Sequence, residues 1–320
     1  MSRNVMRIKL EDLLANAQLA ALPQSAIRLL ELSQDPNNGP NEFAVPLESD
    51  PGLTSQVLRF VNSSYFGFSR EISSVRLAIT LVGVRTIKNF ALWSAVFNLM
   101  PNPKCGPFDL KSLWQDSLRR GLFARAFGKF LGLKDTEDLF AAALLQDMAV
   151  PLLAKEIGEP YADLLSRRIR GSRLSELERE LFGWTHADVG AAMAHSWRFP
   201  ESFVEMIRGH VNLDSAMANA SSSPGTVAVA VSALLPSASD DAWSDRDVFD
   251  RAYQQLAKNA PPVVELLGRL DTEFENFAPV LKVTRPAHTL VELYSTAPQT
   301  STEGRGATIT QGQRRALANR

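Results

Sequence analysis

The chain has 320 residues, 45% of them hydrophobic and 22% charged, with a formal net charge of −1. That is ample length for a sizeable core, and so small a net charge supplies no global field to draw the chain to nucleic acid or a membrane surface. Cys105 is the only cysteine, which excludes an internal disulfide and a cysteine-based metal cluster. The opening MSRNVMRIKLEDLL lacks the apolar core of a signal peptide, and no apolar run approaches the roughly 20 residues that span a bilayer. A cytoplasmic, bacterial-type setting is expected.

Apolar residues recur with the i, i+3, i+4 rhythm of helices throughout, and no stretch sustains strand alternation. The spacing predicts short helices near 9–19 and 24–34, separated by Leu22-Pro23. The turn Asp35-Pro36-Asn37-Asn38-Gly39-Pro40 closes the second, and a third helix runs from about 41 to 49. Asp50-Pro51 offers an N-cap and a proline at the first helical position. The helix behind it carries Leu53, Val57, Leu58 and Val61 on one face and ends in the loop Asn62–Gly67. Ser73 or Ser74 caps a helix built on Val75, Ala78, Ile79 and Val82, and Gly83 turns the chain into a long amphipathic helix over 85–98. Pro101 and Pro103 then break the pattern, which makes Met100–Phe108 the clearest boundary in the chain.

A second half opens at Asp109, the cap of a helix that carries Leu118, Leu122, Ala126 and Phe130. The stretch Ala141–Leu153, AAALLQDMAVPLL, follows. Its apolar helix runs up to one polar pair, Gln146-Asp147, and a short apolar segment restarts at Pro151. A carboxylate in such a core helix needs either a hydrogen-bond partner or a task such as metal ligation. Ser175-Glu176-Leu177-Glu178 and Thr185-His186-Ala187-Asp188 have the pattern of capping boxes. Trp197-Arg198-Phe199-Pro200 separates off a helix that ends near His210-Val211, and the polar linker Asn219–Gly225 leads to an apolar helix over 226–235. An acidic segment, 237–250, overlaps the first of two helices near 246–258 and 262–277, and from about Ala297 the low apolar content predicts a disordered tail. The fold class is all-α. The chain divides into an N-terminal half (1–100), a second helical half (109–235), a C-terminal helical extension (240–296) and the tail (297–320).

Several local patterns are specific in their order and spacing. They are Leu22-Pro23, Leu29-Leu30-Glu31-Leu32, Asp50-Pro51-Gly52-Leu53-Thr54, Asn62–Gly67, and Ile72-Ser73-Ser74-Val75 with Ala78, Ile79 and Gly83. Together they resemble the N-terminal half of the HDOD family, a branch related to HD-type metal phosphohydrolases. The resemblance continues through Leu113-Trp114, Gln146-Asp147, Gly183-Trp184-Thr185-His186 with Gly190, and Trp197–Glu201, and covers roughly 20–235. It implies a multi-helix bundle of the HDOD/HD-like type and a signalling role exercised through protein contacts.

In the HD relatives, metal is held by a His on the helix before the motif, the His-Asp pair, later histidines and a final Asp. These groups converge so that a bound water becomes a nucleophile. The resemblance puts Asp116 at the first of these positions and Gln146-Asp147 at the pair, so the pair's histidine is replaced. It puts His186 at the next position, His210-Val211 at a later His-His pair, and Val231 near the closing Asp. Glutamine is a poor ligand for such metals and valine is none. Asp116, Asp147, His186 and His210 therefore stand as remnants of a degenerate metal site, and no cofactor is expected. Asp147, His186 and His210 could still hold one ion weakly. Purely structural roles fit them too: Asp147 accepting from a helix end, His186 in a first turn, and His210 favoured by a helix C-terminus.

Arg167, Arg168, Arg170 and Arg173 make the densest basic cluster, which fits either a solvated face or a seat for a phosphate or acidic ligand. Tyr65, Phe66 and Phe68 are core aromatics or an exposed docking loop. The tail arginines Arg305, Arg314, Arg315 and Arg320 accompany no nucleic-acid reader, and no P-loop, Rossmann glycine motif or Ser-His-Asp set appears. The expectation is a non-catalytic regulatory module that binds an unidentified signalling protein partner, with no membrane or nucleic-acid partner. One alternative is a phosphohydrolase that cleaves cyclic dinucleotides or nucleotides with Asp147, His186 and His210. Another is a nucleotide- or nucleic-acid-associated regulator that uses the cluster around Arg168.

Overall fold

The computed structural model describes residues 8–17, 20–169 and 173–296. Arg170, the tail 297–320 and its arginines lie outside the described residues. The N-terminal half is α1 (Leu10–Asn16), α2 (Gln24–Leu32), α3 (Pro40–Glu48), α4 (Pro51–Val61), α5 (Val75–Val82) and α6 (Val84–Leu99). Next come α7 (Leu110–Phe130), α8 (Thr136–Leu145), α9 (Val150–Ile157), α10 (Glu159–Ile169), α11 (Leu174–Phe182) and α12 (His186–Ser196). The chain continues with α13 (Glu201–Gly209), α14 (Leu213–Ala218) and α15 (Pro224–Ser232), then α16 (Arg246–Leu256), α17 (Val263–Phe277) and α18 (Leu290–Ser295). Every regular element among the described residues is a helix, and none is long and apolar enough to cross a membrane.

The helix starts follow from side-chain chemistry. Asp50 accepts from the Leu53 amide, Ser74 from Leu77, and Asp109 from Lys111 and Ser112, each satisfying donors that a helix N-terminus leaves open. Gly83 sits at φ 93°, where a side chain would be strained, and this lets α6 start directly where α5 ends. The Thr185–Asp188 capping box forms. The expected Ser175–Glu178 box does not, because α11 begins at Leu174 with Arg173 before it. Ser175 is therefore already inside the helix, and Glu178 is free to point elsewhere. Two short helices, α14 and α18, were not expected; six residues are too few to display a helical period.

The long helix α7 is the centre of the packing, in contact with α8, α15 and α17. Gly121 lets α8 come close, since a Cβ there would stand 3.1 Å from the Phe140 carbonyl. One continuous apolar cluster runs from Leu13 to Leu290, so the C-terminal helices share the core of the rest. Polar contacts from α7 hold them in place: Gln115 donates to the Thr284 carbonyl at 2.8 Å, and Arg119 donates to the His288 carbonyl.

Arg125, with a side chain only 4% exposed, pairs with Glu273 at 2.9 Å. Its guanidinium lies 5.0–5.8 Å from the ring centres of Tyr65, Phe140 and Phe277, a cation–π arrangement that joins three segments. Tyr65 packs on Phe277 and Phe66 on Phe60. Two of the three loop aromatics are therefore core residues, and Phe68 is the exposed one, at 38%. Replacing Arg125 with Ala should cost on the order of 2 kcal/mol, mainly through the packing and cation–π contacts of a buried guanidinium, since its partner Glu273 is 41% exposed. Urea denaturation checks this, and a midpoint equal to wild type would contradict it.

Candidate functional site

Three backbone ends bring the site together. The chain leaves α8 at Leu145, and Gln146–Ala149 form a turn in which the Met148 amide bonds the Leu145 carbonyl and Val150 that of Asp147. Pro151 then fits the first turn of α9, where its missing N–H is harmless. Asp147 thus projects from a turn between two apolar helices. His186 is the first residue of α12, and His210 caps the C-terminus of α13.

These three side chains are buried and converge on one point. Asp147 Oδ1 lies 3.2 Å from His186 Nε2 and 3.4 Å from His210 Nε2, and the two Nε2 atoms are 3.1 Å apart. The outer faces of both imidazoles are fixed. His210 Nδ1 is 2.6 Å from the Ile207 carbonyl, which can only accept, so the proton of that ring sits on Nδ1. His186 Nδ1 is 2.6 Å from Glu178 Oε2, which also accepts from the His186 amide at 2.8 Å. The other Glu178 oxygen accepts from the Tyr161 hydroxyl at 2.5 Å. Burial, with His186 adding to it, lowers the His210 pKa from 6.5 to about 3, so its inward Nε2 is a bare lone pair at neutral pH.

The second oxygen of Asp147 accepts a hydrogen bond from Arg120, on α7. Among the described residues Arg120 Nε has no hydrogen-bond partner, nor has Gln146 Nε2, although the Gln146 side-chain Oε1 accepts from the Ser232 hydroxyl at 3.3 Å. Asp116 does not join the converging group. Its carboxylate accepts from the Ser237 hydroxyl at 2.6 Å and the Ala238 amide at 2.5 Å, which commits it to the turn after α15. Burial raises its pKa and the Arg120 charge opposes that rise. Asp116 therefore is not a substitute for the missing first histidine. Val211 lines the site and Val231 is packed in the core, so neither offers a donor.

A cavity of about 580 Å³ opens above the three donors and is walled by Phe108, Leu165, Leu174, Leu235 and Trp243 among others. The arginine cluster is largely spent inside the molecule. Arg168 makes a two-pronged contact with Asp240 at 2.8 and 2.9 Å, Arg173 holds Asp245, and Arg167 reaches Glu180 at 3.4 Å. The acidic segment 237–250 neutralises the basic one, and both Arg168 and Arg173 line the cavity.

The structure brings Asp147, His186 and His210 together and leaves Asp116 apart. The sequence did not place Arg120, Glu178 or Tyr161 beside them. Arg120 stands four residues after Asp116, a spacing that marks a possible pair on one helix face. Glu178 was hidden by its resemblance to a capping residue. Asp147, His186 and His210 supply the nitrogen and oxygen donors that a metal ion of the HD type would take, and an ion held there would polarise a bound oxygen.

His210 also predicts a pH dependence. The unfolded chain takes up a proton on this residue near pH 6.5, whereas the folded chain keeps it neutral down to about 3. Between those values the unfolded state binds more protons, so stability is full above pH 6.5 and falls as the pH drops through the window. His210→Gln should flatten the fall below pH 6.5 in denaturation curves of the metal-free protein. An unchanged slope would contradict the assignment.

Comparison with known proteins agrees with this architecture. A Treponema pallidum (strain Nichols) protein described only as uncharacterized is 25% identical over 214 residues, which make up 61% of this chain and 38% of that one. The present chain thus spans well under half of that relative's length. Among solved structures, a candidate phosphohydrolase from Shewanella amazonensis SB2B is similar with a TM-score of 0.65 at 22% identity, over 84% of this chain and 97% of the other. An HDOD domain protein of unknown function from Geobacter sulfurreducens gives 0.61 at 20%, over 86% and 88%. At these identities the likeness concerns the fold. The HDOD domain profile matches residues 19–213, more than half of the sequence, and the chain therefore belongs to the HDOD family.

Proposed function

We propose that this chain is a non-catalytic HDOD-type regulatory module that acts by binding a signalling protein. The observation that carries the reading is the state of the metal-ligand positions. By the resemblance to the HD relatives, Gln146 and Val211 stand at, and Val231 near, positions where those proteins place metal donors, and Asp147 has one oxygen turned to the imidazoles and the other engaged by Arg120. A carboxylate held in this way does not bridge two ions, and the in-line displacement that a two-ion clamp promotes loses its framework. Asp116 does not take their place, since its carboxylate is bonded to Ser237 and Ala238. The large apolar side chains left most exposed among the described residues, Val45, Leu81, Val264 and Leu77, are away from the cavity lining; a protein partner would bury such groups.

A metal-dependent phosphohydrolase is the second reading, favoured by the three converging donors beneath a cavity of ligand size. A nucleic-acid role draws less support, since Arg168 and Arg173 are matched by Asp240 and Asp245. Hydrolysis of bis(p-nitrophenyl) phosphate and of cyclic dinucleotides, assayed with Mn2+, Fe2+ or Zn2+, separates the first two readings. Turnover should be indistinguishable between wild type and Asp147→Ala. Metal-dependent turnover that disappears in Asp147→Ala would establish the enzyme instead.

A further inference from the structure

We propose that α1 is a displaceable strap over a docking face along α12, and that this face takes a short amphipathic helix of the same pattern from a partner protein. The proposal rests on the partner-binding reading above and names the surface and the kind of segment it receives.

Two indoles mark the face. Trp184 stands just before α12 and Trp197 just after it, each 8% exposed. Trp184 Nε1 donates to the Ile8 carbonyl at 2.9 Å, and Trp197 Nε1 donates to the Ala20 carbonyl at 3.2 Å. Ile8 and Ala20 flank α1, so the segment runs alongside α12 in the same direction and is pinned at both ends. Both acceptors are backbone carbonyls, which every residue carries. The indoles therefore read the course of the bound chain and not its side chains.

The side chains of α1 supply the rest. Leu13 and Ala17 are buried and Leu10 and Leu14 half-buried, whereas Glu11, Asp12, Ala15 and Asn16 are exposed. The inward set has the i, i+3, i+4, i+7 spacing with which an amphipathic helix fills an apolar groove. Phe182 stacks on Trp184 with ring centres 4.8 Å apart, which fixes the indole that receives the strap.

What makes α1 displaceable is its length and its isolation. It has seven residues, and Lys9 before it makes no side-chain cap. Helices shorter than about 12–15 residues are marginal in water, so α1 is helical because it is docked. The helices α2 to α6 pack on one another, whereas α1 has no comparable helix partner among the described residues. Undocking therefore melts one short segment and leaves the bundle standing. The exchange also reaches the site: Trp184 adjoins Thr185, whose backbone N–H is held by Asp188 at the start of α12, with His186 next in the chain.

Hydrogen exchange of the wild-type full chain and peptide capture together test this. The hydrogen-bonded amides of Leu13 and Ala17 should exchange at least about tenfold faster than the α12 amides, at a rate that low denaturant does not raise. A labelled peptide of residues 5–22 should bind full-length Leu13→Asp, first confirmed as folded by circular dichroism, at least about tenfold more tightly than wild type, whose own strap competes at high effective concentration. The same peptide carrying Leu13→Asp should not bind. Exchange of α1 only together with α12, no capture by the folded variant, or equal capture by both chains would overturn the proposal. If the variant does not fold, the exchange measurement decides it. Peptide capture is independent of turnover, so a fixed strap and a catalytic chain give different results.

Discussion

The arrangement of this molecule depends on one buried ion pair, between Arg120 of α7 and Asp147 in the turn after α8. Asp147 lies between helices whose other residues are almost all apolar and buried. An isolated carboxylate there would be driven to neutrality, and an isolated guanidinium on α7 would be equally costly. Each is made more tolerable by the other, and the Asp116 carboxylate adds to the support of Arg120. The pair also positions the carboxylate: with one oxygen drawn to Arg120, the other is left facing His186 and His210.

The same logic extends along α7, which is unusual for a central helix in the polarity of its buried face. Gln115, Asp116, Arg119, Arg120 and Arg125 each reach a different segment: Thr284, the turn at Ser237-Ala238, His288, Asp147 and Glu273. Apolar packing brings the helices together, but it is directionally permissive. These polar contacts supply direction. They bind the segments after α15 and α17 to the same helix that carries Arg120, so the cavity wall, the site floor and the C-terminal helices share one support. A hydrogen-bonded network of this kind is costly to leave half satisfied, which accounts for the short, specific contacts at Asp116.

Much of the fold was legible because its determinants are local. Asp50, Ser74, Asp109 and the Thr185–Asp188 box cap their helices as their sequence neighbourhoods indicate, and Gly83 turns where a glycine is needed. Asp147, His186 and His210 were legible as a group through their resemblance to a known motif. What escaped depends on distance along the chain. Arg120 and Asp147 are 27 residues apart, and Arg168 and Asp240 are 72 apart; no periodicity reports such pairings. Glu178 was misread for a different reason, since Ser-x-x-Glu describes a cap only when the helix starts at the serine, and α11 starts one residue earlier.

The contact between Arg120 and Asp147 is the one that most needs direct measurement. A double-mutant cycle of Arg120→Met, Asp147→Asn and the double variant, measured by chemical denaturation of the metal-free protein, isolates that coupling. A strong buried pair predicts that the double variant is less destabilised than the two single changes together, by about 1.5 kcal/mol or more. Strictly additive losses would show that the two residues are stabilised by other neighbours, and would contradict the central place given to their contact.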